Sequence, residues 1–457
     1  MPARGARRTR PGNERNAKEA KAAKRGGRAK GAIVRGFALC AALCVFALFA
    51  SFAFSFQPRL SDNDRDFMIA MLRTLRDDVA KHYYDPTFHG VDLDARFKDA
   101  ALRLKTTPSF NDGIATLAEF LTQLDDSHTT FIPPNRRVRV DYGWQMAIVG
   151  SVPLVVEVDR ASDAAAKGLA PGDRVLLLNT FKPTRDNLWR LVYFYRFIRP
   201  QAQQRVAVLE PDGSARTVDV ASRVESKPIT GLGDLVAELE RDLDRARDTG
   251  ASIAPDIFVW KMRVFGNPDA VDQMIAKARG SRTLVLDLRG NGGGAVVALR
   301  ELVSRTFDRE ILVAQEKLRG RETREVAKPA RSRFSGRLIV LVDSRSASAA
   351  EMFARIVQIE KRGSVLGDRT SGQVMTSRIF PHQFGVGAAL AFYAASVTIG
   401  DVRMSDGGSL EKVGVEPDEI VLPSPADLAA SRDPALARAI EVAGGSLTPD
   451  EAGRLFK

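Results

Sequence analysis

The chain has 457 residues, 44% of them hydrophobic, so it is long enough for two or three domains with substantial cores. Its net charge is +12, but residues 1–36 carry ten of these charges, and the nearly neutral remainder argues against nucleic acid as a partner. The only cysteines, Cys40 and Cys44, lie outside residues 57–457, hereafter the body. The body therefore has no disulfide framework and no cysteine metal site, and we expect no cofactor and no metal.

The first predicted element after the basic tail is a membrane-spanning helix. Residues 37–56 are twenty successive apolar or small residues without a charge, the length that a helix needs to cross a hydrocarbon core ~30 Å thick. A cleavable signal peptide is the alternative, although the basic segment is long and no A-x-A site follows. The Lys/Arg bias places residues 1–36 in the cytoplasm. We therefore expect a single-pass protein of a bacterial inner membrane, with its body in the periplasm or otherwise outside the cytoplasm.

Two regions follow before the first chemical motif. Residues 61–140 have apolar side chains at helical spacing, such as Met68, Met71 and Leu72, and are predicted to form an N-terminal helical region. Residues 141–225 are strand-rich, with small alanines on a short helix and then Gly-Leu-Ala-Pro-Gly-Asp entering a strand. This pattern resembles a PDZ domain, which binds peptide carboxyl termini by strand addition. The alternative is that the PDZ-like domain is a structural spacer.

A glycine cluster marks the next motif. Residues 283–287 read as a buried strand, and Gly290-Asn-Gly-Gly-Gly294 separates it from a helical stretch over 295–307. Glycines let the backbone approach a reacting group closely and adopt positive φ. A tight turn or a phosphate cradle would use the same residues, but no Lys-Ser/Thr follows as a P-loop requires.

A serine-rich turn forms the second motif. Residues 338–342 (LIVLV) are typical of a strand buried on both faces, and residues 349–358 have apolar positions at helical spacing. Ser348 is therefore expected at a strand-to-helix turn, where free N–H groups at the helix start suit an oxyanion. The competing interpretation is an ordinary serine helix cap. Alternating strands and helices to about residue 421 indicate an α/β core with a mixed sheet.

Together these segments resemble the carboxyl-terminal processing, or tail-specific, serine protease family. DLRGNGGG and SRSASAAE carry the resemblance, with the PDZ-like stretch before them, over roughly residues 65–425. It implies a multidomain α/β fold with a protease core at 226–425, followed by a C-terminal segment, 426–457, without chemistry. It also implies Ser348 as the nucleophile and the amides of Gly293, or a glycine one position away, and Ala349 as oxyanion donors. Asp287 and Arg289 would be framework residues.

One position departs from the family. Members with a Ser-Lys dyad carry the lysine where this chain has Gln373, and glutamine cannot accept a proton. The segment Asp126-Ser127-His128 resembles the Ser-His pair of the tricorn-type branch, which uses serine, histidine and glutamate. Glu411, before Gly-Val-Glu-Pro-Asp, matches the glutamate of that branch. The resemblance then implies that His128 is the base and that Glu411 orients it, directly or through Ser127.

Alternatives remain for each of these roles. A histidine followed by Thr-Thr also occurs at this point in dyad enzymes, where it is not the base, so the alternative for His128 is a structural hydrogen-bonding residue. The stretch around Glu411 also fits a surface loop. His82 and His89 are predicted at surface or helix-end positions, and His382 in a loop at a strand edge. The leading interpretation is a membrane-anchored serine endopeptidase that cleaves polypeptides outside the cytoplasm. The alternative is a catalytically inactive relative that acts as a PDZ-containing binding scaffold, with a lipid- or small-molecule-binding member third.

Overall fold

The computed structural model describes residues 60–134, 138–226, 248–254, 256–384 and 391–456. The predicted basic tail and the predicted span at 37–56 lie outside these residues. Within the described part, no helix is both long enough and apolar enough to cross a bilayer.

The described chain begins with three helices, α1 (Asp62–His82), α2 (Leu93–Thr106) and α3 (Phe110–Thr122). Each starts at a side chain that accepts a hydrogen bond from its first turn, namely Ser61, Asp92 and Ser109. The helical prediction for 61–140 holds only as far as α3. Beyond it lie two short strands, β1 (Thr130–Ile132) and β2 (Val138–Asp141), because β1 pairs with a distant strand of the core.

An antiparallel five-stranded sheet forms the next unit, hereafter the module. Its strands, in the order β3-β4-β5-β6-β7, have the bounds Trp144–Val149, Val152–Val158, Arg174–Leu178, Gln203–Leu209 and Ala215–Ala221. Helix α4 (Asp163–Ala166) and helix α5 (Leu188–Tyr193), which continues as a π turn over Phe194–Ile198, complete it. Strand β8 (Arg223–Ser226) pairs with β2 and leads the chain back to the core. Strand β3 is an edge of the module sheet.

The core is built on a mixed six-stranded sheet in the order β18-β15-β14-β11-β10-β9. Only β9 and β10 are antiparallel; the other neighbours are parallel. The bounds of the six strands, from β9 to β18, are Thr249–Ala254, Ile257–Lys261, Thr283–Asp287, Arg337–Val342, Gly363–Gly367 and Glu419–Ile420. The predicted mixed α/β core is confirmed.

Helices cover both faces of this sheet. Helices α6 (Pro268–Ala278), α7 (Val296–Thr306) and α8 (Ala349–Ile359) bury one face. The other face packs against the C-terminal segment, which forms α9 (Pro425–Ala429), α10 (Pro434–Val442) and α11 (Pro449–Ala452). Because the central strands are apolar on both faces, β11 and β14 are almost completely buried.

A second, antiparallel sheet joins the helical region to the core. It contains β1, β12 (Ile311–Leu318), β13 (Arg321–Ala327), β16 (Met375–Phe384) and β17 (Ala391–Arg403). His382 lies within β16 and not in the loop that the sequence analysis predicted, because β16 and β17 form a long hairpin ladder through this residue. Strand β17 pairs with both β1 and β16, so it connects the segment after His128 with the segment after Gln373.

Candidate active site

The two sequence motifs meet at one edge of the core sheet. Strands β11 and β14 are parallel neighbours, with Asp287 paired to Leu341, so the segments that follow them emerge side by side. The glycine cluster leaves β11, and the turn that carries Ser348 leaves β14. A Cβ placed on Gly293 would lie 2.6 Å from the Cβ of Ser348 and 3.0 Å from the nitrogen of Ala349. Only a glycine fits there, and its φ of +93° is one that other residues rarely adopt.

Ser348 has a strained backbone at the start of α8. Its φ is 53° and its ψ −118°, outside the regions that serine normally occupies. Its N–H donates to the carbonyl of Gln373 at 3.0 Å and to the Glu351 carboxylate at 3.1 Å, and the side chain is half-buried. Such strain persists only where surrounding contacts hold it, and it is concentrated at functional sites.

The N–H groups near Ser348 differ in availability. The N–H of Ala349, the first residue of α8, has no acceptor among the described residues, as is usual for a helix start. The N–H of Gly293 donates to Oδ1 of Asn291 at 2.8 Å. Gly292 lines the neighbouring groove, and its N–H meets no acceptor in the described part of the chain. The role of Gly293 as an oxyanion donor stays a prediction. Its lack of a side chain leaves the space that the Cβ of Ser348 needs.

Glu351 is a site residue that the sequence analysis missed. It is completely buried and accepts four hydrogen bonds, from the N–H groups of Ser348, Gly372 and Gln373 and from the hydroxyl of Thr370. Burial raises the pKa of this carboxyl to about 7, while the four donors oppose that rise. A glutamate three residues after a serine at a helix start is a capping-box pattern, which would have identified it.

A second cluster joins Ser127, His128 and Glu411. The hydroxyl of Ser127 donates to Oε2 of Glu411 at 2.9 Å, and its oxygen lies 2.6 Å from Nδ1 of His128. The N–H of Ser127 donates to Oε1 of Glu411, also at 2.9 Å. Because the hydroxyl has one proton and gives it to Glu411, it accepts from Nδ1–H of His128. Nε2 then carries the lone pair and can accept a proton.

The peptide link between Gln373 and Val374 connects the two clusters. The carbonyl of Gln373 accepts from the N–H of Ser348, and the N–H of Val374 donates to Oε2 of Glu411 at 2.9 Å. Adjacent residues therefore hold the nucleophile candidate on one side and the glutamate on the other. The Gln373 side chain lines the groove beside them. Its main chain contacts the Ser348 cluster, with its N–H donating to Glu351 and its carbonyl accepting from Ser348.

Burial determines the acidity of the base candidate. Desolvation lowers the pKa of His128 below its ordinary value, and the negative charge of Asp126 opposes this shift. Desolvation raises the pKa of Glu411, and hydrogen bonds from Ser127 and Val374 oppose that change. His128 is therefore neutral near pH 7, which is the form that a general base requires.

The other three histidines contact residues in or next to the helical region and not the residues of this site. Nε2 of His382 lies 2.6 Å from a carboxylate oxygen of Asp78, and Nε2 of His89 lies 2.7 Å from the hydroxyl of Tyr84. His82 stacks on Phe380 at a centroid distance of 4.3 Å.

Asp287 and Arg289 form a buried ion pair that continues to Asp433, and the Arg289 side chain donates two hydrogen bonds to each carboxylate. This pair connects the end of β11 to the C-terminal helices.

A groove with a volume of about 460 Å³ runs from the module to these clusters. Its lining includes Trp144 and Met146 of β3 and Leu188 and Leu191 of α5. It also includes Ser127, Gly292, Gln373 and Ala347, the residue before Ser348. An extended polypeptide in the groove would therefore reach the neighbourhood of Ser348.

Comparison with known sequences identifies relatives of this architecture. Residues 257–421 match the family described as Peptidase family S41. The C-terminal processing peptidase of the Tetradesmus obliquus chloroplast is 32% identical over 361 residues, covering 74% of this chain and 74% of that protein. Carboxyl-terminal-processing peptidase 2 of the Arabidopsis thaliana chloroplast is 26% identical over 357 residues. That alignment covers 74% of this chain and 66% of the Arabidopsis protein, just under two thirds.

Comparison with solved structures agrees on the fold. Mature CPAF complexed with lactacystin superposes with a TM-score of 0.59 over 80% of this chain and 95% of that chain. The sequences are 16% identical in this alignment, so the likeness concerns the fold alone.

Proposed function

The chain belongs to peptidase family S41, and we propose that it is a serine endopeptidase whose base is His128 in place of the dyad lysine. The observation that carries this proposal is the hydrogen-bonded series Glu411–Ser127–His128, which is joined to Ser348 through Gln373 and Val374. This is the arrangement that the tricorn-type resemblance implies. Ser348 is the nucleophile, His128 the base, and Ser127 and Glu411 hold the imidazole.

The proposed reaction proceeds through an acyl-enzyme. Oγ of Ser348 attacks the scissile carbonyl carbon as its proton passes to Nε2 of His128. The oxyanion accepts from the N–H of Ala349 and from an N–H of the glycine cluster at 290–294. The imidazolium then gives its proton to the leaving amine, and the C–N bond breaks. Water, deprotonated by His128, hydrolyses the ester and restores Ser348.

The module is proposed to bind the substrate as a PDZ-like domain. Its edge strand β3 can accept an extended peptide as an additional strand, and the apolar wall of α5 faces the same groove. One polar group beside the start of β3 fits a carboxylate. Arg196 lines the groove, donates to the Trp144 carbonyl at 3.2 Å and forms no ion pair among the described residues. A free carboxyl terminus would give its guanidinium an anionic partner.

We also propose where the protein acts. Residues 1–36 carry ten of the twelve net positive charges and precede the apolar run at 37–56, which supports a single-pass anchor with the basic tail in the cytoplasm. The catalytic body would then lie in the periplasm of a bacterial cell. Protease added to spheroplasts should digest the body, and protection of the body would contradict this location.

A cleavage assay separates this proposal from a non-catalytic scaffold, which Gln373 favours. The full chain, purified in detergent, is incubated with an unstructured polypeptide that has an apolar carboxyl terminus, beside the Ser348→Ala chain. The proposal expects cleavage by the parent chain and none by Ser348→Ala, with both binding the polypeptide. Binding by both chains without cleavage by either would establish the scaffold instead.

A further inference from the structure

A buried carboxylate adjoins the base candidate and takes no part in the proposed acyl-enzyme reaction. Asp126 is 2% exposed and precedes Ser127 and His128. Its Oδ1 accepts from the N–H of His128 at 2.9 Å, from the N–H of Thr129 at 2.7 Å and from the hydroxyl of Thr398 at 2.6 Å. Its Oδ2 accepts from the hydroxyl of Tyr83 at 2.8 Å. All four partners donate, which is the environment of an ionised carboxylate.

This carboxylate has no positive partner. None of the ion pairs within the described residues includes Asp126, although burying an unpaired charge is costly. The neighbouring Asp125, by contrast, is exposed and pairs with Arg190 and Lys412. The field of Asp126 is therefore not cancelled by an adjacent cation, and it acts on the groups around it.

The contacts of Asp126 fix the main chain of the base. Two of its four hydrogen bonds come from the N–H groups of His128 and Thr129, on either side of the His128 carbonyl. The other two come from rigid elements, since Tyr83 follows the end of α1 and Thr398 lies in the middle of β17. One carboxylate thus attaches the loop carrying His128 to a helix and to a sheet.

The proposed reaction creates a positive charge at His128. The direct partner of Nδ1 is the neutral hydroxyl of Ser127, and the Glu411 carboxylate lies behind that hydroxyl. Burial disfavours the imidazolium, and the charge of Asp126 acts against that penalty by raising the pKa of His128. A second buried anion therefore supports the protonated base from its main-chain side.

We propose that Asp126 is a positioning residue for His128, which fixes the main chain of the base and stabilises the imidazolium through its negative charge. The proposal rests on the proposed function, in which His128 is protonated during catalysis. In this proposal Asp126 acts through His128 and has no direct part in bond making or breaking.

Other ionisable groups surround the same loop and define the controls. The 409–414 turn contributes Glu411 and Lys412, α5 contributes Arg190, and β17 contributes Asp401 near Tyr84. From the chain after α1 come Tyr83 and Tyr84, whose hydroxyl pKa values are both raised by burial, so neither is ionised near neutral pH. Asp125 is the matched control because it adjoins Asp126, has the same charge and is exposed.

The test compares Asp126→Asn with Asp125→Asn by titrating the imidazole of His128. Asparagine keeps an oxygen for the two N–H donors and turns its amide toward the oxygen of Tyr83, so the loop geometry is preserved while the charge is lost. The full chain has four histidines, and His128 is assigned by the signal that disappears in His128→Gln. Measurements use the Ser348→Ala background, which needs no peptidase activity.

The expected result is a fall in the His128 pKa of about 0.5 unit or more in Asp126→Asn and a negligible change in Asp125→Asn. In the chain with an intact Ser348, kcat should fall about tenfold or more with KM unchanged. An unchanged His128 pKa in Asp126→Asn would overturn the proposal. A chain that hydrolyses no polypeptide would refute the proposed function, while the titration would still decide on Asp126.

A second variant covers failure of Asp126→Asn to fold. Thr398→Val keeps the charge and removes one of the four donors, and it is checked by thermal unfolding. The proposal expects a reduced kcat at unchanged KM, because the loop loses two contacts, the hydrogen bonds of the Thr398 hydroxyl with Asp126 and with the hydroxyl of Thr129. An unchanged kcat in a folded Thr398→Val chain would contradict the positioning role.

Discussion

Ser127 and Glu411, 284 residues apart in the sequence, share two hydrogen bonds of 2.9 Å, one from the hydroxyl and one from the N–H of Ser127. This double contact closes the loop before β1 onto the turn before Gly414. It also fixes the direction of the remaining bond, because the hydroxyl that donates to Glu411 can only accept from His128. In the proposed reaction, Glu411 orients the imidazole through the hydroxyl of Ser127.

Removal of either member of this pair should impair the same step. Ser127→Ala and Glu411→Gln are each expected to lower kcat by roughly 10- to 1,000-fold, less than the loss from replacing the base itself. The double variant should be little worse than the poorer single variant, since both changes interrupt one series of bonds. Steady-state kinetics on the four chains measures this coupling. Effects that multiply in the double variant would show that the two residues act separately.

The pH dependence of activity follows from the burial of His128. A base must be neutral, so activity falls as the pH drops through the pKa of His128, which desolvation lowers below the usual ~6.5. The acidic limb of kcat/KM should therefore have its midpoint below pH ~6.5, and activity should be constant through neutral pH. A rate profile from pH 4.5 to 8.5 checks this. A midpoint in the alkaline range would indicate a lysine base instead.

Gly293→Ala should abolish activity for a steric reason. The new methyl group would lie 2.6 Å from the Cβ of Ser348, and the φ of +93° is unfavourable for alanine. Gly320→Ala is the matched control, because Gly320 has a φ of +74° and nothing within 4 Å of its missing Cβ. Both variants should lose stability, by roughly 1 kcal/mol for the backbone strain alone. Only Gly293→Ala should lose cleavage, and a fully active Gly293→Ala chain would place the nucleophile elsewhere.

Arg196→Ala tests the proposed carboxylate site in the groove. For polypeptides with a free carboxyl terminus, KM should rise about tenfold, because the variant removes a groove-lining guanidinium that has no ion pair among the described residues. Polypeptides with an amidated terminus should show little change. Arg205→Ala, on the exposed face of the module and paired with Asp219, serves as the control. Equal effects of Arg196→Ala on both substrate types would argue against recognition of the carboxylate.

Local sequence patterns predicted the elements that carry Gly290 and Ser348. They could not predict that these elements are neighbours, because this depends on long-range strand pairing. The strands before Gly290 and Ser348 and the helix after Ser348 were predictable from apolar runs and helical spacing. Their adjacency follows from parallel pairing of β11 and β14, which no local pattern specifies.

The base candidate His128 was identified only through the family resemblance. His128 lies far from Ser348 in the sequence, and its placement depends on β1 joining the core sheet beside β17, within a region predicted to be helical. The importance of Asp126 could not be inferred, because nothing in the sequence distinguishes it from Asp125. The fold separates the two: Asp125 is exposed and paired with Arg190 and Lys412, whereas Asp126 is buried and accepts from Tyr83, after α1, and from Thr398 in β17.

The most direct test of a histidine base is covalent labelling of Ser348 by a fluorophosphonate probe. Labelling is followed over time by peptide mass spectrometry in four full-length chains: the parent, Ser348→Ala, His128→Ala and Gln373→Ala. Since the probe reacts only with an activated serine, the parent and Gln373→Ala should be labelled at Ser348 at similar rates, because an amide side chain accepts no proton. Ser348→Ala and His128→Ala should remain unlabelled at this position. Labelling of Ser348 in His128→Ala at the parental rate would contradict the account.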